Sequence, residues 1–201
     1  MINQELMDRI INLVLSETSY IDNKSKMKIN ISLNTHFSHE NGVVLKDYSD
    51  MIKKSFRKIK WYKRRKNVNM DFDLYYSNVS EENKIMLKEN LYIPNGVNFD
   101  YIERIYNISE DLTFFILVLL HEIAHVFYMV EDMAYHGYLK NTHKDVLEYN
   151  LFLESIKNTE DKKEVNINYR KLHREKIADD FSIIYFKRNI DEISTLVRLF
   201  A

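Results

Sequence analysis

Two histidines and a glutamate at a fixed spacing are the residues of this chain with the clearest chemistry. They form the motif His121-Glu122-Ile123-Ala124-His125. On a helix, residues i and i+4 lie on one face about 6 Å apart, so two imidazoles can converge on one ion. Glu122 lies about 100° further round the helix, where it could act on a metal-activated water. The sequence therefore predicts that His121 and His125 bind Zn²⁺ and that Glu122 is the catalytic general base.

The apolar residues on either side of this motif argue against an exposed turn with no special role. Phe114 to Leu120 precede the motif and Val126 to Met129 follow it, and both runs are almost entirely apolar. A buried histidine or glutamate needs a partner, and a metal ion supplies one.

A third protein ligand is needed, and the chain offers two candidates. Glu175 and Asp179 are again spaced i and i+4, and the small Ala178 would let their helix approach the histidine helix closely. We expect Glu175 to bind the metal and Asp179 to accept the free N–H of a ligand imidazole, which would hold that ring in place without contacting the metal. The alternative is His136, which follows His125 by 11 residues and precedes Gly137. His136 is the competing third metal ligand, or a residue that stabilises the transition state.

The motifs resemble those of zincin metallopeptidases that use glutamate as the third zinc ligand, and they are most similar to the ImmA/IrrE family. The matching residues are His121, Glu122, His125, Glu175, Ala178, Asp179 and Phe181. The resemblance spans about residues 111–186 and implies a zincin-like fold. With His136 as the third ligand, the chain would instead resemble SprT-type proteases, which act on proteins attached to DNA.

Periodicity in the rest of the chain predicts the elements that must position these residues. Strands are expected at Met27 to Leu33, Val43 to Leu45 and Met70 to Tyr76, with a hairpin or tight loop at Leu91 to Phe99. Helices are expected at Met1 to Asp22, Ser49 to Lys63, Glu110 to Val130, Thr142 to Ile156, Asn168 to Lys187 and Asp191 to Phe200. This order indicates an α+β fold in a single domain of residues 1–201, with a helix and a small twisted sheet in residues 1–108 and a helical metal-binding part in residues 109–201. Met70 to Tyr76 is expected to be an edge strand that binds an extended substrate.

Composition narrows the classes of protein to consider. The chain of 201 residues contains no cysteine, which excludes disulfide scaffolds, iron–sulfur proteins and thiol nucleophiles. Its formal net charge is −1, so no overall field attracts nucleic acid. The segment Lys53 to Lys66 carries nine cationic residues and no acidic one. It could bind nucleic acid, but we favour a solvated helix face.

The apolar stretch Leu112 to Val130 is long enough to cross a membrane, but it contains His121, Glu122 and His125. We expect a buried core helix and no membrane partner. Polar residues interrupt Met1 to Ser16, so we expect no targeting signal and a cytoplasmic protein.

The function predicted from these features is hydrolysis of peptide bonds in a cytosolic protein or peptide by a zinc metallopeptidase. The alternatives are a metal-containing binding or antagonist module of a phage or mobile element that has no catalytic activity, and a SprT-like DNA-associated protease. The sequence does not indicate an oligomeric state.

Overall fold

The computed structural model describes residues 4–17, 27–34, 42–45, 68–75, 80–136 and 140–201. The predicted helix Ser49 to Lys63 and the basic segment Lys53 to Lys66 lie outside these residues. The predictions made for both therefore stay predictions.

Helices form most of the described chain. The first part contains α1 (Gln4–Glu17) and three strands, β1 (Met27–Asn34), β2 (Gly42–Leu45) and β3 (Val68–Tyr75). The second part contains α2 (Glu81–Leu87), which runs into a π-helical turn (Lys88–Tyr92), α3 (Phe99–Tyr106), α4 (Glu110–His136), α5 (Lys140–Ile156), α6 (Lys162–Tyr169), α7 (His173–Arg188) and α8 (Ile190–Phe200).

The three strands form one small sheet in the order β1-β3-β2. β1 pairs with β3 in parallel along its whole length, from Met27 opposite Val68 to Asn34 opposite Tyr75. β2 pairs with the other side of β3 in antiparallel orientation. The expectation that Met70 to Tyr76 is an edge strand is therefore wrong, because β3 is the central strand.

The predicted α+β fold class is wrong, because helices and not strands make up most of the described residues. The described residues are predominantly helical: α1 lies within the predicted helix Met1 to Asp22, but α2 and α3 are further helices in the half expected to contain a helix and a small sheet. Of the two alternatives expected at Leu91 to Phe99, the hairpin is wrong and the tight loop is confirmed, because this segment completes the π-helical turn, reverses at Gly96 with φ 81° and begins α3. Tyr92, Val97 and Phe99 are buried by helix packing, which alternation alone does not distinguish from strand pairing.

The long helix α4 is the centre of the hydrophobic core. Every residue from 113 to 124 is buried, and α4 contacts α3, α5, α7, β2 and β3. A helix that is apolar all round is typical of a protein interior or a membrane span. By length and composition the segment Glu110–Asp132 could cross a membrane, and 83% of its most apolar window is buried inside the protein. This burial agrees with the prediction of a core helix.

Ser109 and Asn107 determine where α4 begins. Asn107 ends α3 in the left-handed conformation, with φ 56°, and its N–H donates to the Glu103 carbonyl. Two residues later, the Ser109 side chain accepts the N–H of Leu112 at 3.4 Å. The predicted start of this helix at Ser109 and Glu110 is confirmed. Its predicted end at Val130 is wrong, because α4 continues to His136.

A break at residues 170–172 separates α6 from α7, where the sequence predicted one helix from Asn168 to Lys187. Asp161 caps α6 by accepting the N–H groups of Lys163 and Glu164. The first N–H of α7, at His173, donates to the carboxylate of Glu148 on α5 at 3.1 Å. The break lets the end of α6 turn back towards the side chains of α7.

Candidate metal centre

Helices α4 and α7 bring His121, His125 and Glu175 together. The Nε2 atoms of the two histidines lie 3.1 Å apart, as expected for residues one turn apart on α4. Oε2 of Glu175 lies 3.3 Å from His121 Nε2 and 3.7 Å from His125 Nε2. These three side chains form a buried group that could hold a metal ion.

Burial and charge make this group attractive to a cation. Glu175 is 1% exposed and His121 is 4% exposed. Burial lowers the pKa of His121, but its hydrogen bonds with Asp179 and Glu175 outweigh that effect and raise the pKa to about 9. Burial raises the pKa of Glu175, yet its contacts with His121 and His125 hold that pKa well below its usual range. The two shifts are two sides of one interaction, because the carboxylate stabilises the protonated form of the ring and the protonated rings stabilise the carboxylate.

Asp179 lies behind His121 on the side away from the other ligands. Its Oδ1 is 2.8 Å from Nδ1 of His121. A proton on Nδ1 donates to this carboxylate and leaves Nε2 free for an ion. Ala178, which is 1% exposed, allows α7 to approach α4 closely enough for this contact.

Two side chains hold the outer oxygen of Glu175. The hydroxyl of Tyr169 donates to Oε1 at 2.9 Å, and Nε of Arg174 donates to the same oxygen at 3.1 Å. The inner oxygen, Oε2, is the one that faces the histidines. Tyr169 and Arg174 therefore orient the carboxylate with one oxygen directed at the candidate metal position.

Arg170 adds a positive charge at the same place. Its Nη1 lies 2.9 Å from Asp179 Oδ1 and 3.4 Å from both ring nitrogens of His121. Burial lowers the pKa of Arg170, but the nearby Asp179 and other acidic groups raise it overall. Arg170 is therefore a permanent cation beside the donor atoms.

Glu122 follows His121 in the sequence and stands outside the cluster of three. It is 7% exposed, and it is close enough to His121 for its charge to raise the pKa of that ring. No hydrogen bond or ion pair joins Glu122 to another residue in the part of the chain that the structure describes. Its carboxylate is therefore a candidate proton acceptor beside the group of three.

His136 lies beyond the predicted end of the helix at Val130, but in the structure it is the last residue of α4. The helix is continuous from His125 to His136, and a rise of 1.5 Å per residue puts their α-carbons about 16 Å apart along the axis. The structure therefore brings Glu175, rather than the backbone of His136, to the two histidines.

Sequence reasoning identified the three candidate ligands but missed Arg170 and Arg174. The available signal was that both arginines lie within five residues of Glu175. Because the sequence predicted one continuous helix here, the short separation of Arg170 from Glu175 did not indicate a contact. The break between α6 and α7 brings Arg170 close to Glu175 and Asp179.

Comparisons of the chain with models of protein families, with curated proteins and with solved structures find no match. The resemblance to glutamate zincins therefore rests on the motif residues alone.

Proposed function

We propose that this protein is a zinc-dependent peptidase in which His121, His125 and Glu175 hold the metal and Glu122 is the general base. The observation that carries the proposal is the triangle of donor atoms with Glu122, largely buried, beside it. The three metal ligands, the general base Glu122 and the orienting acid Asp179 would then all lie on two packed helices, α4 and α7.

The size and chemistry of the donor set support zinc. Bonds of 2.0–2.2 Å in a tetrahedral site separate the ligand atoms by about 3.3–3.6 Å. The three distances between donor atoms are 3.1, 3.3 and 3.7 Å. Two imidazoles and one carboxylate form a zinc ligand set that leaves one position open, as catalytic sites require. Calcium and magnesium prefer all-oxygen sites, so this set disfavours both.

The residues of the chain would divide the catalytic work among them. A zinc ion, when bound, lowers the pKa of water and polarises a carbonyl oxygen. Glu122 takes a proton from the attacking water and delivers it to the leaving amine. Asp179 keeps the ring of His121 in the ligand orientation, while Tyr169 and Arg174 do the same for Glu175.

The choice of a peptide bond as the target rests on the resemblance to the ImmA/IrrE and other glutamate zincins. A general base next to two histidine ligands and a glutamate ligand is the arrangement those peptidases use. We propose a cytosolic protein or peptide as the substrate. The non-catalytic binding module is the alternative, and the two differ in whether Glu122 is used.

A comparison of wild type with Glu122→Gln tests the function. Each purified protein is first analysed for bound metal by elemental mass spectrometry. Each is then incubated with a cytosolic extract of a bacterium, and newly formed protein N-termini are mapped. We expect stoichiometric zinc in both proteins, and new N-termini with wild type only, abolished by a chelator and restored by zinc.

Glu122→Gln is the matched control because it keeps the size of the side chain and lies outside the three ligands. Zinc in both proteins with no zinc-dependent cleavage by wild type would overturn the peptidase proposal and favour the binding module. Equal cleavage by both proteins would show that Glu122 is not the base.

A further inference from the structure

Arg170 contacts both of the acidic side chains that α7 brings to the metal centre. Its Nη1 atom lies 2.9 Å from Oδ1 of Asp179 and 3.9 Å from Oε2 of Glu175. The same nitrogen is 3.4 Å from each ring nitrogen of His121. One guanidinium nitrogen is therefore close to three of the side chains that surround the candidate metal position.

The two acids need a cation because they lie close together and away from water. Glu175 and Asp179 are one turn apart on α7, and they are 1% and 3% exposed. Like charges at this spacing repel, and the low dielectric of the interior strengthens that repulsion. Arg174 contacts only the outer oxygen of Glu175. His121 also contacts both acids, but its nitrogens are the atoms that would bind a metal, whereas Arg170 is, within the described ranges, the arginine that forms ion pairs with both acids.

A metal ion and Arg170 would compete for the same carboxylate oxygen of Glu175. The oxygen of Glu175 that Arg170 approaches is Oε2, which also faces both histidines. A divalent cation and a guanidinium repel each other at this range, so both cannot benefit fully from one carboxylate. The side chain of Arg170 is 26% exposed, against 2% for Glu175 and 4% for Asp179. Arg170 therefore has a route to solvent that the acids lack.

We propose that Arg170 is an internal counter-cation of the metal centre, which stabilises the two α7 acids before an ion binds and opposes the ion when it binds. The protein then stays folded without metal, and its affinity for zinc is held below what the ligands alone would give. This inference rests on the proposed zinc site but does not depend on peptidase activity.

The test compares Arg170→Gln with two control variants. Arg170→Lys keeps the charge, and Arg188→Gln removes an arginine of α7 that pairs with Glu17 far from the site. The affinity for Zn²⁺ is measured by competition with a chromophoric chelator. The Tm is measured on metal-stripped protein and again with saturating zinc.

For Arg170→Gln we expect the Tm of metal-stripped protein to fall by about 3–6 °C. We expect zinc to bind about tenfold more tightly, because a like charge beside the ion is gone. The Tm with saturating zinc should fall much less. Arg170→Lys and Arg188→Gln should resemble wild type in their zinc affinity.

Two results would overturn the inference. One is weaker zinc binding by Arg170→Gln, which would mean that Arg170 acts only by positioning Asp179. The other is an equal loss of Tm with and without zinc, which would indicate an ordinary structural role. If wild type binds no zinc, the proposed function falls together with this inference, whereas zinc binding without cleavage leaves the inference standing.

A second variant keeps the test informative if Arg170→Gln does not fold. Arg170→Gln combined with Asp179→Asn removes one charge of each sign, so we expect the metal-stripped double variant to fold and to be more stable than Arg170→Gln. A double variant that is no more stable would contradict the role of Arg170 as a counter-cation.

Discussion

Nδ1 of His121 lies 2.8 Å from Oδ1 of Asp179, and this contact links the two helices that carry the candidate metal ligands. Asp179 is 3% exposed, so water does not compete for its carboxylate. The contact fixes the rotation of the imidazole and decides which of its nitrogens can bind an ion. It joins the His-Glu-x-x-His helix to the helix of the third ligand.

Replacing Asp179 by Asn should weaken zinc binding by about 10–100-fold. The amide keeps the size of the side chain but removes the negative charge that supports His121. The measurement is chelator competition at neutral pH, with circular dichroism as the check on folding. Asp180→Asn is the matched control, since Asp180 is the exposed neighbour on the same helix. Equal losses in the two variants would contradict a specific role for Asp179.

Glu175→Gln and His136→Ala together test which residue completes the ligand set. Glu175 supplies an oxygen to the donor triangle, so its amide variant should lose at least about 100-fold in zinc affinity. His136→Ala should change that affinity by less than about twofold, because the backbone of His136 lies about 16 Å further along α4 than that of His125. Loss of zinc in His136→Ala with retention in Glu175→Gln would reverse the assignment and favour the SprT-like alternative.

Tyr169→Phe should lower zinc affinity by up to about tenfold while changing the Tm little. The substitution removes the hydroxyl that donates to Oε1 of Glu175 but keeps the ring, which packs against Tyr149 and Phe152 at centroid distances of 6.3 and 5.8 Å. Tyr149→Phe is the control, because its ring occupies the same aromatic cluster with no bond to Glu175. If both variants bind zinc like wild type, Arg174 alone orients the carboxylate.

The side chains of the candidate metal centre were predictable because their geometry is local. The i, i+4 spacing fixes His121 against His125 and Glu175 against Asp179 on any helix. The small Ala178 also indicated that two helices could approach each other. Tertiary packing was needed only to bring the two pairs together, and the apolar residues on both helices supplied it.

The contacts of Tyr169 and Arg170 were not predictable, because these contacts depend on a break between two helices. The sequence at the break contains no glycine or proline that would indicate it. Residues 168–187 have helical periodicity throughout, yet Glu148 on α5 caps a new helix at His173.

The end of α4 was missed for a related reason. Its last residues are polar, and polar runs are typical of loops as well as of exposed helix ends. Asp132 is buried and accepts the N–H of Asn141 at 2.8 Å, a contact between α4 and α5 that sequence does not reveal.

Asn107→Ala should lower the free energy of unfolding by about 1 kcal/mol, because asparagine adopts the left-handed conformation more readily than alanine does. Asn107 adopts φ 56° at the end of α3, and the buried Ile108 and the capping residue Ser109 follow it directly. The turn therefore sets how α4, with its two histidines, leaves the preceding helix. Urea unfolding of metal-stripped protein measures the change, and Asn107→Gly is the control because glycine adopts this conformation without strain. A loss in Asn107→Gly as large as in Asn107→Ala would show that the asparagine side chain, and not the backbone conformation, is what the turn requires.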